Sequence, residues 1–280
     1  MPNKRIINCT MPEITQFLQS VKLPVMPEVA HALIRTFEDS DADVQTVTRI
    51  IAKDPALTAT LLRMANSAVF GLSRQVHTLD AAVSVLGMSH IRARALSVCM
   101  AHEFVFPKDI NRLEFWRSCM RCAGYARWLA TARSLDEHQS WLMGMMLRLG
   151  ELMIAQARPD CVQVIERQPC APGERWERER AAVGFDEGQI SAGIAEHWDF
   201  PDAFSQALRD CTSAPGQPRA VLGSVLELAA RLADHPQPSV AALADWPSAV
   251  VTALGLDTHR LGLSLPDAET LNDISALQPG

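Results

Sequence analysis

The stretch DPALTATLLRMANSAVFG, residues 54 to 71, gives the clearest local indication of the fold. Asp54 is placed to cap a helix, and Pro55 brings a preset φ to its first turn, where the missing N–H costs nothing. Gly71 closes the segment. Apolar residues recur between them at three- and four-residue steps, which predicts an amphipathic helix. We expect its buried face to carry Leu57, Leu61, Met64, Ala65 and Ala68.

The same helical spacing continues through most of the chain, and strand patterns are scarce. TLDAAVSVLGMSHIRARALSVCMAHEFVF, residues 78 to 106, predicts two helices joined at Gly87-Met88, with Thr78 and Ser89 as N-caps. A long helix is predicted from Leu113, and a second from Trp141 to Ala155. These two should form the centre of a bundle. The sequence therefore predicts an all-α fold.

Composition bounds the class of protein. The 280 residues are 48% hydrophobic and 21% charged, which is typical of a folded globular chain. The amino end lacks a secretory apolar stretch, and no later run is long enough to span a membrane, so we expect a cytoplasmic protein. Seven cysteines at irregular spacing indicate free thiols. A net charge of −6 argues against duplex binding, although a local basic patch stays open.

One segment carries an informative substitution. In WLMGMMLRLGELMI, residues 141 to 154, Gly144 is followed by an apolar run and then by Gly150 and Glu151. This frame resembles the Gly-Leu-Leu-His-Asp-Ile-Gly-Lys helix with which the HD superfamily of metal-dependent phosphohydrolases holds its metals. Leu147-Arg148 stands where such a hydrolase carries His-Asp. The segment keeps the frame and lacks the metal ligands.

Three stretches together resemble the HDOD family of output domains related to HD hydrolases. They are LPVMPEVAHALIRTF (23–37), the two segments quoted above from residue 54 to 96, and FWRSCMRCAGYARWLA (115–130) with AEHWDFPDAF (195–204). The resemblance implies a helical amino-terminal lobe packed on an HD-like five-helix bundle. It also implies cytoplasmic signalling in bacteria, alongside two-component or cyclic-dinucleotide systems and generally without catalysis.

We predict the following organisation from that resemblance. Residues 1–15 form an amino-terminal extension, and residues 16–215 form the HDOD domain. Within this domain the helical lobe covers about 16–108 and the bundle about 109–215. Residues 216–280 form carboxy-terminal helices that pack on the bundle.

The resemblance also locates a degenerate metal site. Ser118 lies at the position of the family's first His, and Glu187 and Asp210 lie near the later ligand positions. No His-Asp dipeptide occurs anywhere in the chain. Leu147 cannot ligate a metal, and Arg148 is a permanent cation that repels one. We therefore predict no catalytic residue, no metal and no cofactor.

Two roles for Arg148 follow from the sequence. In the first, its guanidinium occupies the former volume of the metal and pairs with Glu151, Glu187 or Asp210. In the second, it reaches solvent from the edge of the helix. The sequence does not decide between them.

Other motifs favour structural interpretations. The CxxC formed by Cys119 and Cys122 lies within a helix, without a second such pair, and indicates two buried cysteines. Four-residue spacing within ERWERER, residues 174 to 180, predicts surface ion pairs on a solvated helix face. The pairs are Glu174 with Arg178 and Arg175 with Glu179.

The function predicted first is a non-enzymatic signalling output or scaffold module that binds protein partners. One alternative is a residual phosphohydrolase or a binder of cyclic dinucleotides or other nucleotides that uses the vestigial pocket. Another is a DNA-binding regulator acting through the helical hairpin at residues 79–100, with His90, Arg92 and Arg94 on its second helix. The match to a helix-turn-helix is poor, so nucleic acid is disfavoured as a partner. The oligomeric state is not predicted.

Overall fold

The computed structural model describes residues 14–67, 75–108, 110–167, 170, 173–213, 217, 219–235, 238 and 248–277. All regular structure in these ranges is helical, and they contain no strand, which confirms the all-α prediction. Ala68 and Gly71, expected at the end of the Asp54 helix, lie outside the described residues. No helix among the described residues is both long enough and apolar enough to traverse a lipid bilayer.

The amino-terminal part contains a lobe of five helices preceded by a short one that packs on the bundle. Before helix α4 (Pro55–Ala65), the side chain of Asp54 accepts the N–H groups of Ala56 and Leu57, as the cap prediction requires. Gly87 ends α5 with a φ of 90°, a backbone conformation that favours glycine. The helices are α1 (Ile14–Ser20), α2 (Glu28–Arg35), α3 (Val44–Ile51), α4 (Pro55–Ala65), α5 (Leu79–Leu86) and α6 (Met88–Glu103).

The two helices joined at Gly87 have different caps. Thr78 Oγ1 accepts the N–H of Ala81 and caps α5, as predicted. Ser89 was expected to cap α6, but that helix begins one residue earlier, at Met88, with Gly87 as its cap. The hydroxyl of Ser89 instead donates to Asp136 Oδ2 at 3.1 Å. This bond connects the lobe to the N-cap of the helix Glu137–Leu147.

A bundle follows, in which α7 packs most extensively on α8 and α14. The helix α6 is buried over most of its length and packs on α8, so it joins the lobe to the bundle. The bundle helices and the short ones between them are α7 (Arg112–Ala132), α8 (Glu137–Leu147), α9 (Leu149–Ala157), α10 (Val162–Ile165), α11 (Glu174–Val183), α12 (Glu187–His197), α13 (Asp202–Asp210) and α14 (Val221–Asp234).

The helix predicted from Trp141 to Ala155 is interrupted at Arg148, which lies between α8 and α9. The cause is a contact from α12. The hydroxyl of Ser191 donates to the carbonyl of Leu147 at 2.8 Å and accepts the N–H of Gly150 at 2.9 Å. One side chain thus satisfies two backbone groups at the break.

Glycines allow the helices around this break to approach closely. A Cβ on Gly150 would lie 2.3 Å from the carbonyl oxygen of Glu187 in α12. A Cβ on Gly144 would lie 2.9 Å from the Cα of Ala123 in α7. Both distances are shorter than a side chain tolerates, so the break is held tightly against α7 and α12.

The carboxy-terminal part contains α15 (Ser248–Leu254), α16 (Thr258–Leu263) and 3-10 turns at Ala268–Leu271 and Ser275–Leu277. The first of these turns packs on α7, and the second reaches α4 and α6 in the lobe. Helix α14 differs from the rest of this part because it lies within the bundle core, against α7, α8 and α13.

Candidate functional site

The break between α8 and α9 places the side chain of Arg148 in the interior of the bundle. Its exposed fraction is 0%. Ending α8 at Leu147 and starting α9 at Leu149 turns this one position toward α12 and α14. A charged side chain in such a place needs partners of opposite charge.

The guanidinium of Arg148 has those partners in three helices. Nη1 donates to Glu187 Oε1 at 3.1 Å, and Nη2 donates to Asp234 Oδ1 at 2.7 Å. Nη2 also donates to the carbonyl of Ala230 at 3.1 Å. A longer contact of 3.5 Å joins Nη1 to Glu151 Oε1. The side chain therefore connects α9, α12 and α14, and it does not reach solvent.

A second cation, Arg175 in α11, lies beside the first. It contacts Glu151 Oε1 at 2.6 Å, Glu179 Oε1 at 2.9 Å and Glu166 Oε1 at 2.6 Å. Glu151 thus lies between the two guanidiniums. Arg148, Glu151, Arg175, Glu179, Glu187 and Asp234 form what we call the Arg148 cluster.

Further hydrogen bonds fix Glu187, which is fully buried. Its Oε1 accepts the indole N–H of Trp176 at 2.7 Å, and its backbone N–H donates to Glu179 Oε2 at 2.8 Å. The capping box of α12, formed by Asp186 and Gln189, sets the start of the helix on which Glu187 is the first residue. Glu187 is therefore held by contacts from three directions.

The Arg148 cluster contains more carboxylates than guanidiniums, and burial changes their ionisation. Burial raises the pKa of Glu187 to about 7, although Arg148 acts in the opposite direction. Burial likewise raises the pKa of Glu151 to about 7, against the effect of Arg175. Burial and repulsion from Glu187 raise the pKa of Glu179 to about 8. Near neutral pH the cluster therefore holds protons as well as ion pairs.

The pKa of Arg148 is also raised, but for a different reason. Burial alone would lower it, but the carboxylates of Asp234 and Glu187 outweigh that effect and raise the pKa well above its ordinary value. The positive charge of this side chain is therefore permanent at any pH at which the protein folds.

An open cleft of about 450 Å³ lies beside the cluster. Glu151, Arg175 and Asp234 form part of its wall, together with Ser118 from α7. Ser118 is half-buried. The cleft gives solvent access to the outer side of the cluster, whereas Arg148 and Glu187 lie beneath it.

The structure brings together some of the residues that the sequence predicted for this site and separates others. Leu147 is buried in the core beside Arg148, and Glu151 and Glu187 contact the guanidinium. Asp210 is not a partner of Arg148, and that part of the prediction is wrong. Its Oδ2 accepts the N–H of Ala220 at 2.8 Å and its Oδ1 accepts the amide of Gln206, so Asp210 fixes the turn before α14.

Two components of the cluster were not anticipated. Asp234 comes from α14, in the segment assigned to the carboxy-terminal helices, and nothing in its local sequence indicates a buried ion pair. Arg175 and Glu179 were predicted to pair on a solvated face. They do pair, but Glu179 is fully buried, so the prediction of a surface location is wrong. The sequence did contain an indication of this burial in Trp176, which lies between the two residues, because an indole within a charged helix indicates a buried face.

The remaining motifs lie in the core. Cys119 and Cys122 are both fully buried, and burial raises the pKa of the Cys122 thiol to about 12. In α6, His90 and Arg92 are buried, and Arg92 donates to the carbonyl of Thr36 at 2.8 Å. These two side chains therefore do not project from an open helix face.

Within the described ranges, no group of three or more His, Cys, Asp or Glu side chains has a geometry suited to holding a metal ion. The three carboxylates nearest to Arg148 are directed toward its guanidinium instead. These carboxylates form ion pairs with the guanidinium and, near neutral pH, also bind protons.

Comparison with known proteins gives a family match: the HDOD domain, over residues 23–213. An uncharacterized protein of Treponema pallidum is 25% identical over 202 residues. The match covers 70% of this chain and 39% of that protein, so the chain spans well under half the length of this curated relative.

Solved structures share the fold. An HDOD domain protein of unknown function from Geobacter sulfurreducens superposes with a TM-score of 0.72 at 18% identity, over 94% of this chain and 95% of that chain. A protein from Shewanella amazonensis, provisionally named a phosphohydrolase, gives 0.71 at 22% identity and 94% coverage of both chains. A protein from Marinobacter aquaeolei, provisionally named a signal transduction protein, gives 0.72 at 20% identity, with 96% and 65% coverage.

Proposed function

The chain belongs to the HDOD family, and we propose that it is a non-enzymatic output module of bacterial signal transduction that acts by binding protein partners. We further propose that it works in the cytoplasm, within a two-component or cyclic-dinucleotide pathway, and uses no cofactor.

One observation carries the proposal: the full burial of the guanidinium of Arg148, a residue that the sequence resemblance aligns with part of a hydrolase's metal-binding pair. The guanidinium contacts the carboxylates of Glu187 and Asp234, which are the kind of group that would otherwise ligate a divalent ion. A permanent positive charge there competes with a metal for the same carboxylates and repels it. Without a metal, a hydrolase of this type has no means of activating water.

The stability of this arrangement supports a structural role for the site. Arg148 has no exposed surface and connects three helices through its hydrogen bonds. A frame kept rigid by a buried cluster is suited to presenting a fixed surface to a partner. The name given to the relative in Marinobacter aquaeolei is consistent with such a role.

The test is an activity measurement on the purified chain. A phosphodiester substrate is incubated with it in the presence of Mn²⁺, Mg²⁺ or Fe²⁺. We expect no turnover above the rate without protein, and no change when Arg148 is replaced by methionine. Metal-dependent turnover by the wild-type chain would overturn the non-enzymatic assignment.

The protein-binding part needs a separate measurement. In-cell cross-linking in the native bacterium identifies candidate partners, and each candidate is then purified and titrated against the chain in a calorimeter. We expect at least one saturable complex of defined stoichiometry between purified components. If every cross-linked candidate fails to bind when purified, the proposal of direct protein binding is wrong.

A second candidate is a residual hydrolase or nucleotide binder that uses the cleft beside the Arg148 cluster. The observation that favours it is the position of two carboxylates, Glu151 and Asp234, in the wall of that open cleft. The same activity measurement tests the hydrolase, which requires turnover by the wild-type chain. Calorimetric titration of the wild-type chain with a cyclic dinucleotide tests the nucleotide binder, which requires saturable binding.

A further inference from the structure

A second cleft lies between the amino-terminal lobe, the bundle and the carboxy-terminal segment. Its volume is about 380 Å³, which is within the range of small-molecule sites. Three arginines from three different helices line it: Arg63 of α4, Arg94 of α6 and Arg127 of α7. None of them belongs to the Arg148 cluster.

Arg63 and Arg127 are exposed, and Arg94 is half-buried. Arg63 donates to the hydroxyl of Thr60 at 3.0 Å. Arg94 lies over the ring of Trp141, 3.8 Å from its centroid, and donates to His90 at 3.4 Å. Across the ranges that the structure describes, none of the three pairs with a carboxylate, whereas Arg148, Arg175 and Arg231 all do.

The charges in the lining are therefore unbalanced. Asp273 is the one carboxylate among the described lining residues, against three guanidiniums. Burial and then repulsion by Arg127 lower the pKa of Arg94 to about 10, and Asp273 offsets this in part. An anion in the cleft would relieve that repulsion.

The cleft also has an apolar wall. Met64 and Met120 contribute to it, and so does Leu271 of the carboxy-terminal segment. Leu271 lies so close to α7 that a Cβ on Gly124 would be 2.6 Å from its Cδ2. The site therefore combines cationic donors with a surface that an uncharged organic portion of a ligand can contact.

We propose that this cleft binds a small phosphate-bearing anion. Guanidinium groups match phosphate oxygens in geometry and charge, and three arginines line this one cleft. The volume admits a pyrophosphate or a mononucleotide. Because Arg63, Arg127 and Asp273 belong to the lobe, the bundle and the carboxy-terminal segment, occupancy would link these three parts. The proposal does not depend on the function proposed above.

Calorimetric titration of the full chain at low ionic strength tests it, with pyrophosphate and ADP as probes and adenosine as the uncharged comparison. We expect both phosphate probes to bind and adenosine not to bind. Tighter binding of ADP than of pyrophosphate would identify a ligand with an organic portion against Met64 and Leu271. Equal affinities would identify a free polyphosphate.

Four variants locate the site. Arg63→Ala and Arg127→Ala should each weaken the probes about tenfold, the effect of losing one charge-assisted hydrogen bond. Arg117→Ala is the matched control, because Arg117 lies on the same helix as Arg127 but pairs with Glu114 away from the cleft. The Arg117→Ala variant should bind the phosphate probes with unchanged affinity. Asp273→Asn removes the opposing carboxylate and should tighten binding.

Circular dichroism melting of each variant separates lost binding from lost folding. Three results would overturn the proposal: no binding of either phosphate probe, equal weakening by Arg117→Ala and Arg127→Ala, or weaker binding by a folded Asp273→Asn variant.

Discussion

Replacing Arg148 with methionine removes the charge at the centre of the cluster and keeps most of the side-chain volume. The change leaves Glu187, which is fully buried, with the indole of Trp176 and without its cation. It also removes the hydrogen bonds to Asp234 and to the carbonyl of Ala230. Breaking a buried pair by removing one partner lowers the free energy of unfolding by about 3–5 kcal/mol.

Protonation of Glu187 sets how much of that loss is observed. Its pKa is about 7 with Arg148 present, and Arg148 holds it down, so the pKa rises further in the variant. A neutral Glu187 needs no cation. We therefore expect the full loss at about pH 8 and a smaller loss at about pH 6, at roughly 1.4 kcal/mol per unit of pKa change.

Urea unfolding at pH 8 and pH 6 measures the loss in free energy of unfolding, with Arg209→Met as the control. Arg209 pairs with Glu196 on the surface, where the side chains are 41% and 47% exposed. Replacing Arg209 should therefore lower the free energy of unfolding by less than about 1 kcal/mol. Adding Glu187→Gln to Arg148→Met should recover part of the stability, because no buried charge is then left unpaired. If Arg148→Met lowers the free energy of unfolding no more than Arg209→Met does at pH 8, the ion pairs of Arg148 do not stabilise the bundle.

Three further outcomes follow from the structure. Burial raises the pKa of Glu151, Glu179 and Glu187 to about 7 or 8, so their contribution to stability is full below about pH 4.5 and is lost as the pH rises through those values. His90 and His138 have lowered pKa values, so their contribution to stability increases with pH up to about 6.5. Above that pH the carboxylates dominate, and urea unfolding should show a free energy of unfolding that decreases between about pH 6.5 and 8.5. An increase over this interval would contradict the carboxylate pKa shifts. Gly150→Ala should lower the free energy of unfolding by about 1–3 kcal/mol or more, since its Cβ meets the backbone of Glu187. Gly193→Ala meets only the side chains of Leu18 and Ile14 and should lower it less in the same unfolding measurement. In a thiol titration of the native chain, Cys161→Ser should remove a reactive thiol and Cys122→Ser should not, because Cys122 is fully buried with its pKa raised to about 12; an equal effect of both would show that the bundle core is open.

Local chemistry made part of the fold predictable. The Asp54 cap and the turn at Gly87 depend on residues within a few positions of each other, and both are found as expected. The break at Arg148 could not be predicted in this way, because the apolar spacing continues through it. Its cause is Ser191, a residue 44 positions beyond the carbonyl that it contacts.

The site shows the same limit. Glu187 was among the anticipated partners of Arg148, because the family resemblance placed it near the old ligand positions. Asp234 lies 86 residues from Arg148 and was missed, since only the packing of α14 against the bundle brings it there. For Arg175 and Glu179 the four-residue spacing predicted the pair, but the fold determined its burial.

Titration of the wild-type protein with Mn²⁺ in a calorimeter tests most directly whether Arg148 stands in the place of a metal ion. The arrangement of its guanidinium against Glu187 and Asp234 predicts no saturable binding at this site. Stoichiometric binding of Mn²⁺ that is weakened by Glu187→Gln would show that the carboxylates hold a metal with Arg148 present, and would contradict the role assigned to that residue.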